Sequence, residues 1–384
     1  MKIGIITFHN TSNYGAVLQA YALSRFLELS GHEVYFIDYK RKPDSGLIQN
    51  LTHRISIALK MLSTPSLVIS YFRSKGKTGS KSTYLSTKSE RNEKQNELFN
   101  EFRRKYFKMS ELNYNTPAEL KKNPPLYDAY IAGSDQIWGH GRTTFSDAYF
   151  LNFGPKNIRR VSYAPSFGSP ILKKPWHKDL RKKISKFDYV SVREKSGAEI
   201  IKEVCNLEVK HVLDPTLLLK DYSTITTKID LDPYLFIFKL KQRKELESSF
   251  KNLTSCIAKE LKLNTITVDP MTVLDEKELC SIERFLGYIK SASFMITNSF
   301  HGTVFAIIHN INFICCPRTL SAEGQNDRML GLLTDLDLSD RFFDFEMTTD
   351  YSQIINSEIN WSEVNTRLER LRESSIKFLE DALL

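Results

Sequence analysis

No run of about 18 apolar residues occurs in the 384-residue chain, which argues against a transmembrane helix. Cysteine is scarce. The five present (Cys205, Cys256, Cys280, Cys315 and Cys316) are odd in number, form no Cys-x-x-Cys pair and have no histidine at zinc-ligand spacing. That argues against a disulfide scaffold or zinc module and fits free thiols in a reducing cytoplasm; no metal is expected. The net charge of +9 comes without a zinc finger, basic zipper or aromatic RNA-binding signature, so it does not read as nucleic-acid recognition. A full glycine-rich phosphate loop is missing too. The opening stretch MKIGIITF is too short and too strand-like for a signal peptide, so a cytoplasmic protein is expected.

What is present is ordinary globular composition, 41% hydrophobic and 26% charged, at a length that fits two domains. The charge is concentrated. Leu51–Ser110 holds thirteen Lys/Arg against four Asp/Glu, as much net charge as the whole chain. A local basic patch of this kind points to an anionic surface or ligand.

Continuous apolar, β-rich runs alternate with helical patterns. Strands are expected at Lys2–Phe8, Glu33–Tyr39, Tyr127–Ala132, Arg160–Ala164, Tyr189–Val192, Tyr234–Leu240, Thr265–Val268, Phe294–Thr297 and Phe313–Cys316. Helices are expected at Ala16–Leu29, Lys195–Val204, Lys244–Leu261, Asp275–Ile289 and Thr303–His309, with a closing helix over Trp361–Leu384. Runs without alternation suit parallel strands covered on both faces, and the βα alternation suits doubly wound α/β domains. The Thr-rich stretch Lys220–Asp232 divides two such series, giving a first domain at 1–220, a second at 221–345 and a closing segment at 346–384. A basic excursion at about 45–110, including the polar run Arg73–Gln95, is expected to be a mobile interruption of the first domain.

Each polar cluster of interest falls where a strand ends, the usual ligand position in such folds. Asn13, Tyr14 and Gly15 open a helix after the first strand, where free N–H groups favour an anion; a plain helix cap is the alternative. Ser134, Asp135 and Gln136 follow Tyr127–Ala132, and a carboxylate there can orient or deprotonate a hydroxyl, or simply cap a turn. Arg193, at the end of Tyr189–Val192, can grip a carboxylate or phosphate with two parallel bonds, or pair with Glu194. Asp214 before Pro215 reads as a structural turn. His301 sits between Asn298-Ser299 and Gly302-Thr303 at a strand-to-helix turn, where an imidazole can serve as general acid near neutral pH. His309 reads as structural. Arg318 and Arg328 are candidate phosphate clamps or solvated loop residues.

The segments TFHNTSNYGAVLQAYAL, YIAGSDQIW, SYAPSFG, VSVREKSGAEII, VLDPTLLL and ITNSFHGTVFAI, in that order from about Ile3 to Leu333, resemble the polysaccharide pyruvyl transferase family. The resemblance implies two Rossmann-like domains facing a cleft, as in GT-B glycosyltransferases. It also implies transfer of the enolpyruvyl-derived group of phosphoenolpyruvate to a sugar as a pyruvate ketal, with no cofactor. By the same resemblance His301 is the general acid, Asp135 acts on the acceptor and Arg193 holds an anionic group of the donor.

One position departs from the family. Ser299 stands where characterised members can carry an arginine, so Ser299 with helix N–H groups, Arg318 or Arg328 must take over that contact. The departure leaves a nucleotide-sugar glycosyltransferase as a rival and a non-catalytic sugar-binding relative as a third class. The mixture of apolar and basic residues from Ile48 to Lys81 is expected either to pack on the first domain or to bring the cleft to an anionic membrane face, where the acceptor would be undecaprenyl-linked.

Overall fold

The computed structural model describes residues 1–40, 82–139, 145–268, 279–319, 326–347 and 350–384. The basic residues Arg54, Lys60, Arg73, Lys75, Lys77 and Lys81 lie outside the described residues.

Among the described residues seven strands form the first sheet: β1 (Lys2–Ile6), β2 (Glu33–Tyr39), β3 (Met109–Tyr114), β4 (Ala129–Ala132), β5 (Arg159–Ser162), β6 (Tyr189–Val192) and β7 (Lys210–His211). Their order is β3-β2-β1-β4-β5-β6-β7, and every pair is parallel. A second parallel sheet, of order β11-β10-β8-β9, is built from β8 (Tyr234–Phe238), β9 (Asn264–Val268), β10 (Phe294–Thr297) and β11 (Phe313–Cys315). The helices are α1 (Tyr14–Leu29), α2 (Ser82–Tyr106), α3 (Pro117–Lys122), α4 (His177–Ile184), α5 (Lys195–Cys205), α6 (Lys244–Leu261), α7 (Ile282–Lys290), α8 (Phe300–Ile308), α9 (Asp327–Asp335), α10 (Ser352–Asn356) and α11 (Trp361–Leu383). The chain thus forms the expected pair of Rossmann-like units. Each sheet reverses strand order once, between β1 and β4 and between β8 and β10, and such reversals open a crevice at the carboxyl ends.

Strand β4 (AYIA), β8 (YLFIF) and β10 (FMIT) are buried along their whole length, as continuous apolar runs demand. The units share one apolar core. Tyr14 stacks on Phe285 with centroids 4.3 Å apart, and Tyr222 meets Phe305 at 5.1 Å. Buried rings of this size each contribute on the order of 2 kcal/mol. Helix α11 returns to the first unit, where Arg372 Nε donates to the Leu217 carbonyl at 2.7 Å and Ser375 Oγ accepts from Leu213 N at 3.0 Å. Among the described residues no helix is long and apolar enough to cross a membrane.

Three expectations need correction. The polar run assigned to a mobile excursion ends in helix: residues from Ser82 onward belong to α2. That helix is anchored at its far end, where Phe99 and Phe102 pack against Tyr14 and Tyr21. Helix α7 begins at Ile282, because Ser281 Oγ accepts from Arg284 N. Helix α8 begins at Phe300, because Ser299 caps Gly302 N, so His301 lies in its first turn rather than before it.

Candidate active site

The carboxyl ends of β1 and β4 are tied to each other first. Thr7 Oγ1 donates to the Ser134 carbonyl at 2.7 Å and receives Gln19 Nε2 from α1 at 2.9 Å. Past β4, Ser134 Oγ donates to Asp214 Oδ2 at 2.9 Å. Asp135 adopts a left-handed backbone (φ 74°), and its Oδ1 accepts from Gln136 N and lies 3.8 Å from Arg193 Nη2.

Arg193, at the end of β6, is the hub. Its Nη1 donates to Asp214 Oδ2 at 2.8 Å and to Ser134 Oγ at 3.3 Å, and its Nε donates to Glu194 Oε1 at 3.1 Å. Burial alone would lower its pKa, but Glu194, Asp214 and Asp135 together hold it above the ordinary value. For Asp214, burial would raise the pKa; His301, Arg193 and Thr216 overcome that and hold the carboxyl well below its usual range. Arg193 Nη2 is left buried without a hydrogen bond.

His301 arrives from the second unit. Its Nε2 lies 3.6 Å from Asp214 Oδ2 and, like Arg193 Nη2, is buried without a hydrogen bond. The ring rests on the first turn of α1, where a Cβ added at Gly15 would fall 2.0 Å from His301 Nδ1. Glycine at 15 is what lets the imidazole approach. His301 and Asp135, from different units, therefore border the same Arg193–Asp214 pair.

Phe300 stands beside this cluster with a guanidinium near each of two contacts. Arg193 lies 4.9 Å from its ring centroid and Arg328 lies 5.9 Å from it. Burial and Arg193 push the Arg328 guanidinium down to about 10. Arg328 has no hydrogen-bond partner among the described residues. Arg193, Asp214, Phe300 and Arg328 share the wall of a cavity of about 310 Å³ between the units. Arg318, by contrast, spends its guanidinium on the Lys241 carbonyl at 3.2 Å.

Other candidate residues serve as scaffold. Asn298 bonds both the amide and the carbonyl of Leu240 and also Gln242, so it locks the end of β10 to the segment after β8. Ser299 caps α8, and Gly302 lies where a Cβ would meet Thr297 Oγ1 at 2.5 Å. Asn13 caps α1 by accepting from Ala16 N. Gln136 packs its side chain against Gly168. Tyr14 turns away from the cluster into the core between the units, donating its hydroxyl to the Cys280 carbonyl at 2.6 Å. Sequence reasoning missed Asp214. The available signal was its place in VLDPTLLL, one of the segments that carry the resemblance, where the Asp-Pro pair reads as a turn.

A family model described as polysaccharide pyruvyl transferase matches residues 13–319. The chain belongs to that family. It is accordingly an enzyme of polysaccharide pyruvylation, acting on a sugar acceptor. The matched span contains Asn13, Asp135, Arg193, Asp214 and His301, whereas Arg328 lies beyond it. No curated protein matches the chain. Similar solved structures include the Staphylococcus aureus MnaA–UDP complex, at 12% identity and TM-score 0.46 over 96% of this chain and 87% of that one. The UDP-GlcNAc 2-epimerase of Methanocaldococcus jannaschii is also similar, at 12% identity and TM-score 0.44 over 96% and 92% of the two chains. A third is the glycosyltransferase SnogD from Streptomyces nogalater, at 11% identity and TM-score 0.38 over 100% and 99%.

Proposed function

We propose that the enzyme takes phosphoenolpyruvate as donor and uses His301 as general acid. The observation that carries this reading is the meeting of His301 and Arg193 on the Asp214 carboxylate, beside a cavity whose wall includes Arg193 and Arg328. Phosphoenolpyruvate brings a carboxylate and a phosphate. Arg193 Nη2, which makes no hydrogen bond, and the Arg328 guanidinium, which has no hydrogen-bond partner among the described residues, suit those two groups, and a planar fork suits either. Arg328 then fills the role left open by Ser299.

His301 gives a proton to C3 of the donor, turning the methylene into a methyl and C2 into an electrophile. A sugar hydroxyl attacks C2, the C–O bond to phosphate breaks, and a second hydroxyl closes the ketal. Of the two hydroxyl protons released, one restores His301 and the other leaves with phosphate. Asp135, half-buried beside Arg193, is the group for orienting or deprotonating the acceptor. The basic segment between Leu51 and Ser110 suits an acceptor that is undecaprenyl-linked at an anionic, cytoplasmic membrane face.

The test is phosphate release from phosphoenolpyruvate across a panel of lipid-linked and free sugars, run with wild type and His301→Ala. Release that depends on acceptor and on His301 supports the reading. Release by the variant at the wild-type rate removes His301 from the acid role, and absence of release with every acceptor removes the donor assignment.

A further inference from the structure

Asp214 has no exposed side-chain surface, and its two oxygens do different work. Oδ1 accepts from Thr216 N at 3.0 Å and from Thr216 Oγ1 at 2.6 Å, which fixes the turn through Pro215–Leu217. Oδ2 accepts from Ser134 Oγ at 2.9 Å and Arg193 Nη1 at 2.8 Å, and it faces His301 Nε2 at 3.6 Å. One oxygen serves the chain's own turn. The other gathers the ends of β4 and β6 from the first unit and the start of α8 from the second.

A buried carboxylate is costly unless its partners are held in place, so the geometry of this oxygen constrains all three neighbours. Two of those neighbours, Arg193 and His301, each keep one buried nitrogen without a hydrogen bond. Arg193 is held through Nη1 and Nε while its Nη2 makes no hydrogen bond, and for His301 the Asp214 carboxylate is the charged group that faces Nε2, so one oxygen constrains where both side chains point. We propose that Asp214 is the positioning residue of this site, setting the orientation of His301 across the junction between the units while holding Arg193 from within the first. The proposal rests on the reading of His301 as the acid. Asp214 acts through its neighbours and is given no contact with substrate.

The experiment replaces Asp214 by Asn, which keeps size and some hydrogen bonding but removes the charge. In phosphate-release assays kcat falls by about 10²-fold or more, as expected for misplacement of a catalytic group by about 1 Å. The decisive arm is non-additivity. In the His301→Ala background, Asp214→Asn changes the residual kcat by less than about twofold, because residues that act as a unit do not lose activity twice. A further drop of the full size in that background means general structural damage and overturns the proposal.

A readout independent of turnover separates this proposal from the donor assignment. In the full chain labelled with ¹³C-histidine, the Cε1–H signal assigned by its absence in His301→Ala moves on Asp214→Asn. An unmoved signal refutes the contact, even if phosphoenolpyruvate proves not to be the donor. A moved signal with wild-type kcat refutes the positioning role. Should Asp214→Asn fail to fold, Ser134→Ala and Thr216→Val separate the two oxygens. Loosening Oδ2 through Ser134 lowers kcat by about tenfold while loosening Oδ1 through Thr216 lowers melting temperature with little change in kcat; equal effects of both on kcat overturn the assignment.

Discussion

Gly15→Ala tests the whole geometry with one methyl group. At this position the added Cβ falls 2.0 Å from His301 Nδ1, 2.4 Å from Cγ and 2.8 Å from Cε1, whereas ordinary contact begins near 3.4 Å. The nearest ring atom must therefore retreat by 3.4 less 2.0, or about 1.4 Å. It cannot retreat freely, since Ser299 caps α8 just before it and Gly302 is packed on Thr297 just after it. Two opposed effects act on stability. Replacing a helical glycine by alanine stabilises by about 0.5–1 kcal/mol, while overpacking a tight contact costs about 1–3 kcal/mol. Overpacking wins, and a loss of about 1–2 kcal/mol lowers the melting temperature by a few degrees for a chain of this size.

Displacement beyond 1 Å costs about 10²-fold in turnover on general grounds. Phosphate release at saturating donor measures the second effect and thermal melting the first. The background of His301→Ala supplies the control, because the ring is then gone and the methyl has room. There Gly15→Ala raises the melting temperature instead of lowering it. Wild-type turnover and melting in the single variant, or destabilisation that persists without the imidazole, refutes the placement of the ring on α1.

Four further outcomes are expected. His301→Ala lowers kcat by about 10²–10⁴-fold with the fold intact, checked by phosphate release beside circular dichroism. Arg193→Lys weakens donor binding, since a point charge cannot replace a fork, and also destabilises by about 1–3 kcal/mol because Asp214 and Glu194 lose buried partners; donor KM and urea unfolding measure the two parts. Burial lowers the His9 imidazole to about 4, so its stabilising effect is complete above the unfolded value near 6.5 and is lost as pH falls through 4. Urea unfolding from pH 7 to 4 therefore shows a steeper loss in wild type than in His9→Gln, and parallel curves contradict it. Co-sedimentation with anionic liposomes at low salt is expected for wild type and weakened when Arg73, Lys75, Lys77 and Lys81 are changed to Glu; wild-type protein left in the supernatant ends the membrane proposal.

The strands most legible in the sequence are those covered on both faces, although the edge strand β9, NTITV, was legible from its β-branched residues. Continuous burial of β4, β8 and β10 leaves no polar alternation to confuse the pattern. Strand β3 escaped because it is an edge strand, MSELNY, with only Ser110 and Tyr114 buried. Helix α2 escaped because its first half is polar and its buried anchors, Phe99 and Phe102, come near its end. Tyr14 and Gly15 show a different limit. Successive residues of a helix point about 100° apart, so the glycine faces His301 while the tyrosine beside it faces Phe285. Adjacency in sequence suggested one shared role, and helix geometry assigned two.

Asp214 carries the same lesson at the level of single atoms. The Asp-Pro pair was read as a turn, and Oδ1 does cap that turn on Thr216. The reading was incomplete because a carboxylate has two oxygens. The local pattern describes only the one that bonds two residues ahead. The other bonds residues 80 and 21 positions away, at Ser134 and Arg193. Nothing in the nearby sequence depends on it. A residue whose local partner fully explains its type can thus hold a second, distant partner at no cost in local pattern. For that reason the centre of this site became visible only once strand order had brought the ends of β4, β6 and β10 together.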